Sequence, residues 1–556
     1  MSRLGARVTW ICPTITLLLA TACSNPTDHP ASSSYDDLVA LFHEWREFER
    51  PTFLDGVPDY SPAAMAAQHR ELADYQGRLG AFDTSAWTVE QQIDHHLVRA
   101  ETNGLDFDHR VRRPWARNPS FYTMIFTSRS DVPAHEGPII HGWIDLWTYE
   151  YPLNDDDAAE LAERIGAIPG VLEHAQENLI EDARDLWVGG IRTMAAQSND
   201  LAGFANQVAG TSAELDAAIM RAREATNEFR AWLEGELPSK NGPSGVGKDN
   251  YTWYAHNVHL VPYTWEEQLT IMRRELARAH SSLRLEEHRN RDLPQLEQVA
   301  SAAAYDRVFN AAVTEYMRFL EGEDIVTVRD YMDAALRARI GQFSPSEGIR
   351  GFFSEVSYRD PLTMRTHGHH WIELANMDLD PHSSEIRRVP SLSNIYDARS
   401  EGLATGMEEM MMHAGLFDDN PRARELIWIL LAQRAARAIG GLMLHANELT
   451  VDETTQFASE WVPRGWLPAD GATIVGEQHF YLQQPGYGTS YVTGKVQIER
   501  LMAERAIQLG DNFTMKGFMD EFTAAGVIPV SLVRWQLTGR DEEVIRMTTG
   551  QMGGPP

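Results

Sequence analysis

The chain has 556 residues, 43% of them hydrophobic, with 80 acidic against 49 basic side chains and a net charge of −31. That charge repels a polyanion and excludes nucleic acid as a partner, while the length and apolar content suffice for a large core. Both cysteines, Cys12 and Cys23, fall within the first 23 residues, so the body holds no disulfide and no thiolate metal site. Any metal there must be held by His, Asp and Glu.

Arg3 and Arg7 form a short basic start, followed by a mostly apolar run from Val8 to Ala22 that is too short to span a bilayer. It closes on Leu18-Leu-Ala-Thr-Ala-Cys23, small residues before a cysteine. This pattern resembles the bacterial lipoprotein signal, in which the cysteine is acylated and becomes the new N-terminus. Residues 1–23 are thus expected as signal, with the mature chain held to the lipid bilayer through Cys23. Residues 24–35, rich in Ser, Pro, Asn and Thr, read as a flexible tether. The expected location is the cell envelope, periplasmic or at the cell surface.

Helix dominates the body of the chain. Thr88-Val-Glu-Gln91, Thr264-Trp-Glu-Glu267 and Thr450-Val-Asp-Glu453 have the form of capping boxes. Leu269, Met272, Leu276, Ala279 and Leu283 make a helical stripe, as do Phe309, Val313, Tyr316 and Leu320. Asn420-Pro421 reads as an N-cap with proline at the first helical position, and Gly510 reads as a helix stop. Alternating strand patterns are scarce. The Gly- and Pro-rich loop near residues 235–250 is the best internal break. The expectation is a mainly α protein, a single helical domain over 36–545 in two packed halves, with a disordered tail at 546–556.

The chemistry concentrates in two segments. Arg365-Thr-His-Gly-His-His-Trp-Ile-Glu373 packs three histidines and a carboxylate into nine residues, with His367 and His370 spaced to share a helix face. Some thirty residues on, Glu401-Gly-Leu-Ala-Thr-Gly-Met-Glu-Glu409 opens a second helix. Imidazole and carboxylate from neighbouring helices suit a zinc ion with an open position. The H-E-x-x-H pattern is absent, as is the G-x-S-x-G elbow of serine hydrolases. Glu409 and His413 read as a helix-surface contact, and Met407, Met410, Met411 and Met412 as core.

Several short pieces, in order, resemble the bacterial domain-of-unknown-function family 885. Trp115-Ala-Arg-Asn-Pro-Ser-Phe-Tyr122 resembles an N-terminal family segment. Glu401-Gly-Leu-Ala resembles its E-G-W-A, and Arg434 with Arg437 its R-A-x-R. Leu444-His445 with Leu449-Thr450 resembles I-H-x-x-G-W-T, Pro485-Gly-Tyr-Gly-Thr-Ser-Tyr491 resembles P-G-Q-x-x-S-Y, and Val527-Ile-Pro-Val530 the closing V-P-L. The resemblance implies a large multi-helix fold of the zincin type, grouped with gluzincin metallopeptidases. It also implies a zinc site at His367, His370 and Glu401, with His369 the alternative to one histidine.

On this reading Glu373, Glu408 or Glu409 serves as base, and His445 and Tyr491 stabilise an oxyanion. Arg434 and Arg437 either clamp a substrate carboxylate or pair with Glu401 and Glu408. One departure matters. The family's H-E-x-x-P-G-H-H aligns its first histidine and glutamate on Thr363 and Met364, which can neither bind zinc well nor accept a proton. Three functions remain open: a metal-dependent hydrolase of peptide or amide bonds with a remodelled site, a non-catalytic binder of peptides or cell-wall fragments, and an oxidative metal enzyme using two histidines and a carboxylate.

Overall fold

The computed structural model describes residues 32–346 and 348–549, and is mainly helical. The signal, Cys23 and nearly all of the tether lie outside the described residues. The last helix, Glu542–Thr549, carries the fold four residues into the segment assigned to the tail, because Val544 and Met547 are buried. The three capping boxes form at Thr88, Thr264 and Thr450, and Gly510 ends the Tyr487–Leu509 helix with a positive φ. Asn420-Pro421 does not act as a cap. The helix begins at Ala423, and Asn420 instead donates to the Asp360 carboxylate at 2.9 Å.

Strands are confined to two short pairs among the described residues. Phe53–Leu54 runs antiparallel to Val57–Pro58, and Ile125–Phe126 runs parallel to Ile144–Asp145. The second pair matters more, since it closes the base of the loop from 127 to 143.

Two large apolar cores, with three small clusters beside them, fill the described residues. The smaller one draws residues from Tyr60 to Leu233, centred on Trp187, Leu201 and Phe229. The larger one combines the first helices with the C-terminal half, reaching from Leu38 to Met547. The Gly- and Pro-rich segment near 235–250 is pinned rather than free: Gly242 N bonds Asp182 O, Gly245 N bonds Asn447 Oδ1 and Gly247 N bonds His445 O.

At the centre of the larger core lie three helices, Asp397–His413, Ala423–His445 and Tyr487–Leu509. The Ala423–His445 helix is apolar and long enough to cross a membrane, yet its apolar window is 94% buried within the protein. Helix neighbours surround it on all sides, which explains an all-round hydrophobic helix. The Asp397–His413 and Tyr487–Leu509 helices touch backbone to backbone where Gly402 meets Gly494. A Cβ on Gly494 would stand 1.7 Å from Ala398 O, so no other residue fits. This close approach brings Glu401 against Tyr487.

The helix bearing His367 starts at Asp360, whose carboxylate accepts from the amides of Leu362 at 2.9 Å and Thr363 at 3.4 Å. Burial outweighs these bonds and pushes the carboxyl up to about 6. The native state therefore binds this proton more tightly than the unfolded chain. The stabilisation is full below about pH 4 and is lost as the pH rises through 6, on the order of 2–3 kcal/mol. Asp360→Asn should flatten that part of the stability profile, measured by urea denaturation at pH 4, 5, 6 and 7.

Candidate metal centre

The two histidines do not share one continuous helix, as their spacing suggested. The Pro361–His367 helix ends at Gly368 and a new helix, His369–Leu379, begins at once. His367 stands at the end of the first and His370 in the first turn of the second, with their rings 5.0 Å apart and nearly perpendicular. The third member comes from 236 residues upstream. Asp131, His367 and His370 each place a ligand atom within 4.8 Å of the others'. Two imidazoles and one carboxylate are a donor set for a divalent ion such as zinc.

Asp131 sits on the 127–143 loop, which is tied down at several points. Ala134 N bonds Tyr396 OH at 3.0 Å, His135 O accepts from Asn394 at 3.0 Å, Gly137 N bonds Gln484 Oε1, and Arg129 pairs with Asp378 at 2.9 Å. Glu136 on the same loop lies 3.1 Å from the Tyr487 hydroxyl oxygen.

Glu401 backs the cluster. Its Oε2 lies 3.1 Å from His370 Nε2 with both side chains almost fully buried, and its Oε1 accepts from Tyr487 OH. His370 Nδ1 has no hydrogen-bond partner in the protein. A carboxylate on one imidazole nitrogen orients the ring, and an ion arriving at the other would displace its proton. Burial alone would disfavour charge on both groups. Their attraction prevails, with help from Asp131 on the histidine, lifting His370 to about 9 and holding Glu401 down to about 2.

Glu136 behaves differently. Removal from water, with Asp131 and Glu401 nearby, pushes its carboxyl up to about 7. No Lys or Arg pairs with it among the described residues.

Most of the remaining sequence candidates are engaged elsewhere. Glu408 forms a bidentate pair with Arg434, both N–O distances 2.7 Å, and Arg434 also reaches His367 Nδ1 at 3.2 Å. This guanidinium therefore holds an internal carboxylate and the first histidine. Glu373 pairs with Arg399, and it lines a separate cleft together with His369. His369 is driven down to about 3 by burial and by Arg399. Glu409 is bound by Arg278 and Lys495, with His413 3.5 Å away at the surface. Arg437 pairs with Glu477.

Tyr491 joins the network, donating to Tyr487 OH at 3.3 Å. His445 faces the Tyr481 carbonyl at 2.9 Å and the Tyr251 ring, and its contacts do not reach the histidine pair. Thr363 is buried with its hydroxyl unpaired, and Met364 packs against the core.

Sequence reasoning missed Asp131, Glu136 and Tyr487. The loop reads Ser-Arg-Ser-Asp-Val-Pro-Ala-His-Glu136, ordinary solvated-loop composition, and nothing local marks it as entering a buried site. Tyr487 lay inside the Pro485–Tyr491 segment already singled out, one helical turn from the tyrosine chosen.

The family model described as "Bacterial protein of unknown function (DUF885)" matches residues 50–345 and 368–537. The chain belongs to this DUF885 family. The match lapses over 346–367, the stretch that contains Thr363 and Met364, where the chain departs from the family pattern. No curated protein matches the chain. Two solved structures share the fold. One is described as a candidate lipoprotein of unknown function from Shewanella oneidensis, with a TM-score of 0.66, 16% identity, and coverage of 92% of this chain and all of that one. The other is described as a candidate lipoprotein from Colwellia psychrerythraea, with a TM-score of 0.64, 15% identity, and coverage of 93% and 100%. Within the DUF885 family, the two-histidine and carboxylate cluster of this member is built from residues far apart in the chain.

Proposed function

We propose that this DUF885 member is an exported, lipid-anchored hydrolase of peptide or amide bonds that holds one divalent metal, most simply zinc, at Asp131, His367 and His370. On this reading the helical body is a divergent relative of the zincin metallopeptidases. The observation that carries it is the convergence of these three side chains with Glu401 behind His370. The unpartnered His370 Nδ1 and the mixed imidazole and carboxylate set fit such an ion.

A bound ion would polarise the scissile carbonyl and acidify a water. Glu136 replaces the family glutamate lost at Met364: it shares the loop of Asp131, pairs with no Lys or Arg among the described residues, and has its carboxyl raised by burial and by the Asp131 and Glu401 carboxylates, toward the range of a general base. It takes the proton of the attacking water at its carboxylate and passes it to the leaving amine. Tyr487 and Tyr491 form a hydroxyl chain that ends on Glu401 and holds that carboxylate behind His370, and the sequence candidate His445 supports the fold behind Tyr481. Glu136→Gln should lower peptide turnover at least 100-fold with metal content unchanged, because it removes the proton acceptor alone. Equal turnover in the variant would refute this base.

A second reading is favoured by one observation. Glu373 and Glu408, two of the three expected bases, are each matched to a buried arginine, and Glu409 is held by Arg278 and Lys495, as in a site kept for binding. A chain that holds metal and a peptide yet cleaves none of a diverse peptide set would establish it.

The lipoprotein signal and the description of both structural relatives support anchoring at Cys23, in the envelope. Full-length protein should fractionate with membranes, and Cys23→Ser should release it to the soluble fraction. Two acyl chains or more hold a protein firmly to a bilayer, so an unchanged distribution would overturn this location.

A further inference from the structure

Beside the metal cluster, on the far side of the 127–143 loop, lies a cleft of about 1080 Å³, open solvent at its mouth included. The cleft and the cluster share walls: Ala134, His135 and Gly137 line the cleft, while Asp131 and Glu136 of the same loop face the cluster. Gln484, on the opposite wall, holds both Gly137 and Asp397.

The cleft is walled by rings. Tyr60 stacks on Trp115 at 6.3 Å and meets Phe121 edge-on at 5.0 Å, with Trp45 and Trp143 completing the enclosure. Three carboxylates line it. Glu101 is neutralised by Arg46, and Asp108 by a bidentate bond to Arg112. Glu49 has no Lys or Arg partner among the described residues. Its Oε2 lies 3.3 Å from His141 Nε2, its charge also acts on Tyr60 and Asp108, and its side chain is 19% exposed.

The backbone around the cleft is strained. Ser393 and Asn394 line it with φ of 55° and 51°, and Arg113, adjoining the wall, has φ of 38°. A π-helical turn, Asp108–Arg112, precedes Arg113 and sets Asp108 and Arg112 into the wall. Left-handed non-glycine residues and π-turns are held at a cost in stability and concentrate at ligand sites. Of eight such residues among those described, Ser393 and Asn394 line this cleft and Arg113 adjoins it.

We propose that this cleft is a subsite for an organic cation, with aromatic faces around an ammonium or guanidinium group and Glu49 as its counter-charge. An aromatic enclosure with a carboxylate attracts a cation by ring quadrupole and charge together, whereas an anion meets repulsion from both. Its position beside the cluster makes the cation the positively charged end of the substrate, a basic side chain or a free amino group. That last step alone rests on the hydrolase reading; the binding itself does not.

Three probes of one shape and different charge test it: benzylammonium, benzyl alcohol and benzoate, titrated calorimetrically into the full chain in matched detergent buffer. Benzylammonium should bind at least about tenfold more tightly than the other two, the scale of a desolvated cation–π contact. Glu49→Gln should bring benzylammonium to the level of benzyl alcohol. Ile139→Trp, which fills the cleft without changing charge, should abolish binding of all three. Each variant is checked for an unchanged circular dichroism spectrum and melting curve. Equal binding of the three probes, no binding of benzylammonium, or binding that survives Ile139→Trp would overturn the proposal. Retained benzylammonium binding in His370→Ala would support it even if the parent chain proves metal-free and inactive, so failure of the hydrolase reading is seen separately.

Discussion

Replacing Asp131 with Asn or His370 with Ala is expected to remove bound metal from a chain that remains folded. Each deletes one of three donors, and three donors are the minimum for a catalytic zinc site. Glu401→Gln should act differently. It leaves the donors in place but weakens the hold on His370 Nε2, and loss of such an orienting carboxylate lowers metal affinity by about 10–100-fold. Elemental analysis of purified protein and competition with a chromophoric chelator measure the two effects. Near-stoichiometric metal in the parent, none in Asp131→Asn, and a weakened site in Glu401→Gln is the expected ordering. A parent chain that fails to take up added zinc would refute the site. Full metal content in Asp131→Asn would return the third position to Glu401, as the family resemblance implied.

Breaking the buried pair between Arg434 and Glu408 should be strongly destabilising. Both side chains are essentially inaccessible, at 0% and 2%, and two parallel bonds join them. Arg434→Met leaves the Glu408 carboxylate charged in the core with only His367 near it, at 3.2 Å. Removing one member of a buried ion pair costs about 3–5 kcal/mol. The double variant Arg434→Met, Glu408→Leu should regain most of that loss, since a matched apolar pair replaces the ion pair at little net cost. Chemical denaturation midpoints test both. A loss below about 1 kcal/mol in the single variant would show that the pair is solvated in practice.

The helical body was legible in the sequence because its signals are local. Capping boxes at Thr88, Thr264 and Thr450 satisfy amides three residues away, and the stripe from Leu269 to Leu283 repeats within one helix. The Asn420-Pro421 cap failed for a tertiary reason: Asn420 is drawn to Asp360, 60 residues earlier in the chain. The histidine pair was legible too, as a cluster of unusual density, although Gly368 and not helical spacing sets its geometry.

The rest of the site was decided by long-range packing. Glu401 was found through its motif, but its role follows from the contact of Gly402 with Gly494, which presses it onto Tyr487 and His370. The reach of an arginine is likewise invisible in one dimension. Arg434 and Arg437 lie three residues apart on one helix, yet they serve Glu408 and Glu477 from different neighbours. Asp131 and Glu136 carried no local mark at all. Composition alone determined that any metal here must be held by imidazole and carboxylate, since no thiol remains beyond residue 23. Which carboxylate lies with the histidines was decided only when Tyr396, Asn394, Gln484 and Tyr487 tied the 127–143 loop against the body. Each of these tethers joins segments far apart in the chain, and pairing over such distances is fixed by the packed fold, not by the period of any segment.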